Sequence, residues 1–210
     1  MSTLLSVQTG RPLSLPHADG EWRSSIHKRP VETPLRLDRL NLEGDEQADL
    51  RVHGGPDKAV CTYSADHFPY WQATLGRPDL GPGAFGENFT VSGLDEATVC
   101  LGDVYAVGTV LVEVSQPRSP CWKLGRKWER LDMPKLVLRA GKTGWYFRVR
   151  QTGSVAAGQD IRLVERPYGQ WTIVEVNRVA YARKTKEMLA ARRQLASCPA
   201  LAESWRVDLA

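Results

Sequence analysis

Apolar residues in this chain mostly alternate with other residues instead of recurring at helical spacing, and glycine or proline cuts the pattern every few positions. In GTVLVEVSQ, Val110, Val112 and Val114 face one way while Leu111, Glu113 and Ser115 face the other. Alternation of period two marks a strand with one buried face. GWYFRVRQTG and GQDIRLVER read the same way, and LRLDRLNLEGDEQADL reads as a strand running into a polar turn. With 18 glycines and 13 prolines in 210 residues, the strands are short. Many short strands at regular spacing predict a mainly β chain built as a barrel or a closed, curved sheet.

Two regions break the pattern. SADHFPYWQATLG predicts a helix capped by Ser64 and ended by Gly76, with Pro69 forbidding a simple helical run. From RPYGQW onward, Thr172 and Glu175 form a capping-box pattern, and Ile173, Val176 and Val179 follow at helical spacing. Ser197, before Pro199, is read as the start of another short helix. The chain is therefore divided into a β domain over 1–168 and a small helical appendage over 169–210.

A hydrophobic fraction of 42% and a charged fraction of 25% are those of an ordinary globular protein. The net charge of +4 permits an anionic ligand without demanding nucleic acid. No run approaches the roughly 18 apolar residues of a membrane span. The opening MSTLLSV lacks the basic leader of a signal peptide. Cysteines stand at 61, 100, 121 and 198, none in a C-x-x-C pair, which argues against a zinc ribbon or a thioredoxin-like site. Free thiols in a reducing, cytoplasmic compartment are expected.

Cys121 has unusual company. In SQPRSPCWKLGRK it follows Arg118 and precedes Lys123, Arg126 and Lys127. Ser119 is a good N-cap and Pro120 suits a first helical position, which would place Cys121 second in a helix, where backbone N–H groups favour a thiolate. The residues alone leave it open as a nucleophile, a redox sensor, a metal ligand or an inert buried thiol. HGGPDKAV (His53–Val60) and GAFGENFTVSGL (Gly83–Leu94) are glycine-punctuated loops, and such turns let backbone N–H groups approach an anion. EWRSSIHKRPV adds Arg23, Lys28 and Arg29. Each of these alone is also compatible with a plain turn or a solvated charged run.

In their order, WRSSIHKRPV, GDEQAD, HGGPDKAV, FGENFT with GLDE, GD, QPRSPCWKL and GWYFRV followed by GQD resemble the MOSC-domain family. The likeness is to its YiiM-like branch, with a C-terminal three-helix appendage. The resemblance implies a β-barrel-like fold and a molybdenum cofactor, a metal held by a pterin dithiolene whose tail ends in phosphate. It implies that Cys121 supplies the protein thiolate to the metal. Arg118 matches the arginine upstream of the family's ligand cysteine, and Asn88 matches the asparagine of the loop lining the pterin pocket. His53, Lys28 and Lys58 fall in matching motifs, and Lys123, beside the thiol, is counted with them as cofactor-binding. Cys61 stands where the branch more often has tyrosine; it is expected to be peripheral, and Cys61, Cys100 and Cys198 to be structural.

The chemistry implied is reductive removal of oxygen from N-hydroxylated compounds such as hydroxylaminopurines, giving the amine. Trp22, Trp122, Trp145 and Tyr146 are candidates for a wall against a flat base. With no flavin motif and no iron–sulfur cysteine spacing in the chain, a flavoprotein electron donor is implied. Two other readings stand beside this one. Cys121 as a persulfide would make the chain a sulfur carrier. Six basic residues at 178, 183, 184, 186, 192 and 193, against the single acid Glu187, would suit a non-enzymatic nucleic-acid binder. The same tail could dock the electron donor or a second subunit as a homodimer.

Overall fold

A computed structural model describes residues 1–17 and 20–209. The largest sheet is made of β1 (Thr3–Thr9), β4 (Arg29–Pro30), β6 (Val60–Ser64), β7 (Phe89–Ser92), β8 (Val104–Val107), β9 (Val110–Pro117), β10 (Trp145–Gln151) and β12 (Ile161–Glu165). Its order is β12-β8-β9-β10-β6-β7-β1-β4, antiparallel except for the β6–β7 pair. The sheet curls until its ends meet. The Leu4 N–H donates to the Gln159 carbonyl at 2.9 Å, Gly158 N–H to Leu4 at 2.7 Å and Ile161 N–H to Ser2 at 2.9 Å. The expected curved, barrel-like sheet is what forms. Two short ribbons flank it: β2 (Leu13–His17) with β3 (Gly20–Ser24), and β5 (Leu35–Leu37) with β11 (Gly153–Val155).

Alternation decides which side chains fill the barrel. Val110, Val112, Val114, Trp145 and Phe147 belong to one buried core with Leu4, Val7, Val60, Phe89 and Val91. Tyr146 lies between Trp145 and Phe147 and therefore faces the other way, as does its cross-strand partner Cys61. On that outer face a second core joins Tyr63 and Phe85 to α1 (Phe68–Leu75), α2 (Trp122–Lys127) and α3 (Met133–Ala140) through Trp71, Leu124, Met133 and Val137. Fully burying a side chain such as Leu124 is worth about 1.5–3 kcal/mol, which seats α2 on the sheet.

The helix signals mostly hold. Ser64 caps the turn before α1 by accepting from Asp66 N–H, Pro69 falls in the first turn of α1, and Gly76 ends it in the left-handed conformation. α4 (Ile173–Tyr181) starts at Thr172, whose hydroxyl accepts from Glu175 N–H at 3.1 Å, while the Glu175 carboxylate turns to Arg178 instead of closing the capping box. α5 (Lys186–Ala196) and α6 (Glu203–Leu209) complete the tail. Ser197 is not a helix start; it closes α5, and α6 begins only at Glu203. Among the described residues no helix is long and apolar enough to cross a membrane.

Candidate functional site

Five segments converge on one cavity at the outer face of β6 and β10. Ser24, Ser25, Ile26 and Lys28 come from the end of β3 and the stretch after it, Glu46, Gln47 and Ala48 from the polar stretch after β5, His53, Gly54 and Lys58 from the turn before β6, Gly86 and Asn88 from the loop before β7, and Arg118, Ser119, Cys121 and Lys123 from the β9–α2 connection. Cys61 and Tyr146 form its floor. The space, solvent mouth included, is about 650 Å³. All seven site residues expected from the sequence, Lys28, His53, Lys58, Asn88, Arg118, Cys121 and Lys123, line this one cavity.

The thiol is presented differently from the expectation. Cys121 is not the second helical residue; it is the N-cap of α2, extended at φ −102°, ψ 164°. Arg118 N–H still donates to the Gly144 carbonyl at 3.0 Å, so the extended backbone of β9 carries on towards the thiol and the helix begins later than Ser119 and Pro120 indicate. The Cys121 side chain makes no capping bond. α2 is fixed from its far end, where Lys127 donates to Gly83 O at 2.5 Å and Ile26 O at 3.2 Å. Burial, with Arg118 and Lys28 nearby, lowers the Lys127 ammonium to about 8.

The other walls are held as firmly. Gly54 and Gly55 both have φ 86°, a conformation that L side chains rarely adopt, and the turn Pro56–Lys58 follows. Lys58 Nζ donates to Val52 O at 3.0 Å. In the 83–88 loop the Glu87 carboxylate, fully buried, accepts from Gly83 N–H, Phe85 N–H and Thr90 Oγ1 at 2.7, 2.9 and 2.9 Å. Gly86 lies so close to Ile26 that an added Cβ would meet its side chain at 2.6 Å. Asn88 lines the cavity, but its amide is committed inward. Nδ2 donates to Gln8 O and Asp45 Oδ2, and Oδ1 accepts from Cys61 N–H. Lys28 is likewise locked, in a buried pair with Asp45. Arg118, also buried, donates to Phe85 O.

Three cations on the lining, Arg118, Lys58 and Lys123, form no ion pair with a carboxylate among the described residues. His53 shares their field. Burial, then Lys123, Lys58 and Arg118, lower its imidazole to about 4, so it is neutral at pH 7. The sign of the consequence is fixed. Between pH 6.5 and about 4 the unfolded chain binds a proton at this residue that the folded one refuses, so His53 costs stability as pH falls through that window. His53→Asn is therefore expected to flatten the loss of stability between pH 6.5 and 4, read from denaturation midpoints of both proteins at each pH. Equal slopes would mean that the ring takes up its proton in the folded state. Burial also raises the Cys61 thiol and the Tyr146 phenol, which stay protonated.

Cys61 is the clearest correction: it is not peripheral but part of the cavity wall, while Cys100 and Cys198 are buried elsewhere, as expected. Trp145 belongs to the barrel core and cannot face a ligand. Trp22 and the exposed Trp122 meet at 5.6 Å between ring centroids, next to the lining residues Cys121 and Lys123. The basic tail is not one free face, since Arg178 pairs with Glu175 and buried Arg192 donates to Ala180 O and Asp208 O. Ser25, Gln47 and Asp45 were missed as site components. The GDEQAD stretch contains two of them, but their roles depend on partners distant in sequence.

Residues 49–162 match the MOSC domain, and residues 171–207 match the YiiM-like, 3-alpha helix domain. The chain belongs to the MOSC-domain family. Bacillus subtilis (strain 168) YflK is 44% identical over 206 residues, 98% of this chain and 92% of that protein. A protein of Gibberella moniliformis (strain M3125 / FGSC 7600) named "Reductase" is 39% identical over 191 residues, 90% of this chain but 34% of that longer protein. The crystal structure of YiiM from Geobacillus stearothermophilus matches with TM-score 0.83 at 40% identity, covering 100% of this chain and 97% of that one. The MOSC half-barrel and the helical tail of this chain are thus those of the YiiM structures.

The MOSC cavity suits a sulfur-rich metal with an anionic organic tail. Cys121 offers a soft donor on one wall, and three cations stand near it. The Ser25 hydroxyl, in the same wall, is buried with no partner among the described residues. No group of three or more His, Cys, Asp and Glu comes together as a metal cage among the described residues.

Proposed function

We propose that this chain is a molybdenum-cofactor-dependent reductase that removes oxygen from N-hydroxylated compounds, hydroxylaminopurines among them. The observation that carries the reading is the partly exposed thiol of Cys121 on a cavity that Arg118, Lys58 and Lys123 also line. Membership of the MOSC family and the "Reductase" name of one relative support it. Bound there, the cofactor supplies the two electrons. Cys121 Sγ would hold the metal, and Arg118, Lys58 and Lys123 would hold the anionic tail. Ser25 offers a hydroxyl to the same ligand. The locked Lys28–Asp45 pair and the inward Asn88 shape the wall without meeting the ligand's charge. Trp22 and Trp122, in contact beside Cys121 and Lys123, offer aromatic faces to a heteroaromatic ring.

The overall change is R–NHOH + 2 electrons + 2 protons giving R–NH2 + H2O. A separate flavoprotein is the electron donor in this reading. Protein loaded with the cofactor and given reduced viologen should convert 6-hydroxylaminopurine and N-hydroxycytosine to amines, one per electron pair. If fully loaded protein leaves both untouched while Cys121 carries a transferable sulfur, the sulfur-carrier reading replaces this one. Arg118→Ala should release the cofactor about ten- to a hundredfold more readily, because a charge-assisted hydrogen bond is worth about 1.5–3 kcal/mol. Unchanged pterin content after long dialysis would remove Arg118 from the contact.

A further inference from the structure

The turn that carries His53 and Lys58 is fastened by the tail as well as by the barrel. Asp57, which does not line the cavity, is the fastening point. Its carboxylate accepts from Arg148 Nε of β10 at 2.9 Å and from Glu203 N–H, the first residue of α6, at 3.2 Å. Its carbonyl accepts from Ser115 Oγ of β9 at 2.5 Å. The same groups weave the tail in. Arg148 also donates to Ala200 O at 2.9 Å and to Glu113 at 3.1 Å, and Ala202 N–H donates to Ser115 O at 2.9 Å. Ser115 Oγ reaches Tyr146 O at 3.1 Å, behind the cavity floor.

We propose that Asp57 is a positioning residue through which the C-terminal helical segment sets the cavity wall bearing His53 and Lys58. Lys58 is the next residue in a three-residue turn, so a fixed Asp57 leaves its backbone little freedom. Gly54 and Gly55 lie between Asp57 and His53, and glycine loses more conformational freedom on ordering than any other residue. A turn that starts with two glycines needs a clamp at its far end, and Asp57 receives that clamp from three elements. α6 also brings Asp208, whose charge acts on Lys58 together with that of Asp57. A second tail contact, Tyr181 Oη with Ser119 Oγ at 3.3 Å, reaches the segment leading to Cys121. The inference concerns the chain alone and does not rest on the reductase reading.

Glu203→Pro removes one N–H from the clamp and little else, because proline is tolerated at a first helical position. In the intact chain, amide exchange at His53 and Lys58 should quicken about tenfold, the worth of one such hydrogen bond. Exchange within the β9–β10 ladder should stay at its wild-type rate. The His53 ring, whose pKa burial lowers, should titrate at a higher pH in the variant than in the wild type when followed by NMR, as the turn opens to water. Asp57→Ala should do the same more strongly; if it does not fold, Glu203→Pro decides. Wild-type exchange at His53 and Lys58 in folded variants, or equal acceleration throughout the sheet, would overturn the proposal. Neither measurement uses molybdenum, substrate or donor, so its failure is separable from failure of the reductase reading.

Discussion

Cys121→Ser is expected to fold normally and to lose molybdenum. The fold should survive because Cys121 is the N-cap of α2, extended and without a capping bond, and serine is a better N-cap than cysteine. The helix is held by Leu124 and Lys127, which the substitution does not touch. Metal retention should fall on the order of a hundredfold or more, since even the outer partners of a metal ligand cost 10–100-fold when removed. Activity with N-hydroxylated bases should fall with it. Metal content per folded protein, measured after gel filtration, checks the first claim independently of turnover. Full molybdenum content in the variant would dismiss Cys121 as the ligand. Cys61→Ser is the matched control: Cys61 shares the cavity, so metal loss there instead would show that the wrong thiol had been chosen.

Asp45→Ala should be the most damaging single substitution in the cavity wall. Its carboxylate is inaccessible and accepts from Lys28, from Gly10 N–H at 2.8 Å and from Asn88 at 2.9 Å. Removing it leaves the Lys28 ammonium, 7% exposed, without a counter-charge. Breaking a buried pair in this way costs about 3–5 kcal/mol. Urea unfolding of the variant measures the loss directly. Replacing both partners, Lys28→Met with Asp45→Leu, should recover most of it, because the cost lies in the orphaned charge. A loss below about 1 kcal/mol for the single variant, the scale of an exposed pair, would mean that Lys28 turns into the open cavity and finds water.

What could be read in the residue order, and what could not, divides along the range of the interactions. Val110, Val112 and Val114 revealed their strand because alternation is local. Thr172, Ser64 and Gly76 revealed helix ends because a cap binds only two or three residues away. Cys121 was misplaced by two helical positions because Ser119 and Pro120 are locally ideal starts, yet a distant carbonyl at Gly144 keeps the chain extended past Arg118. Ser197 failed for a similar reason: the α5 C-terminus and the packing of the tail decide its place. Motif order brought the seven site residues to one cavity, but not the division of labour among them. That Asn88 and Lys28 are spent on Asp45 while Arg118, Lys58 and Lys123 line the space depends on partners 43 and 17 residues away in the chain. Cys61 reads as peripheral because it lies outside the ligand-cysteine motif; its neighbour in space is Tyr146, on another strand.

Closure of the barrel has a consequence during synthesis. β1 is completed by Phe89–Ser92 on one side and by residues 158–161 on the other. At 5–20 residues per second, a ribosome that has just made β1 needs roughly 8–30 s to deliver residue 159. For that interval the strand Thr3–Thr9, with Leu4 and Val7 destined for the core, has an open edge. The nascent chain therefore passes through a sticky stage whose length is set by translation speed. Slowing elongation between residues 92 and 158 should increase aggregation on the ribosome without altering the stability of the finished protein.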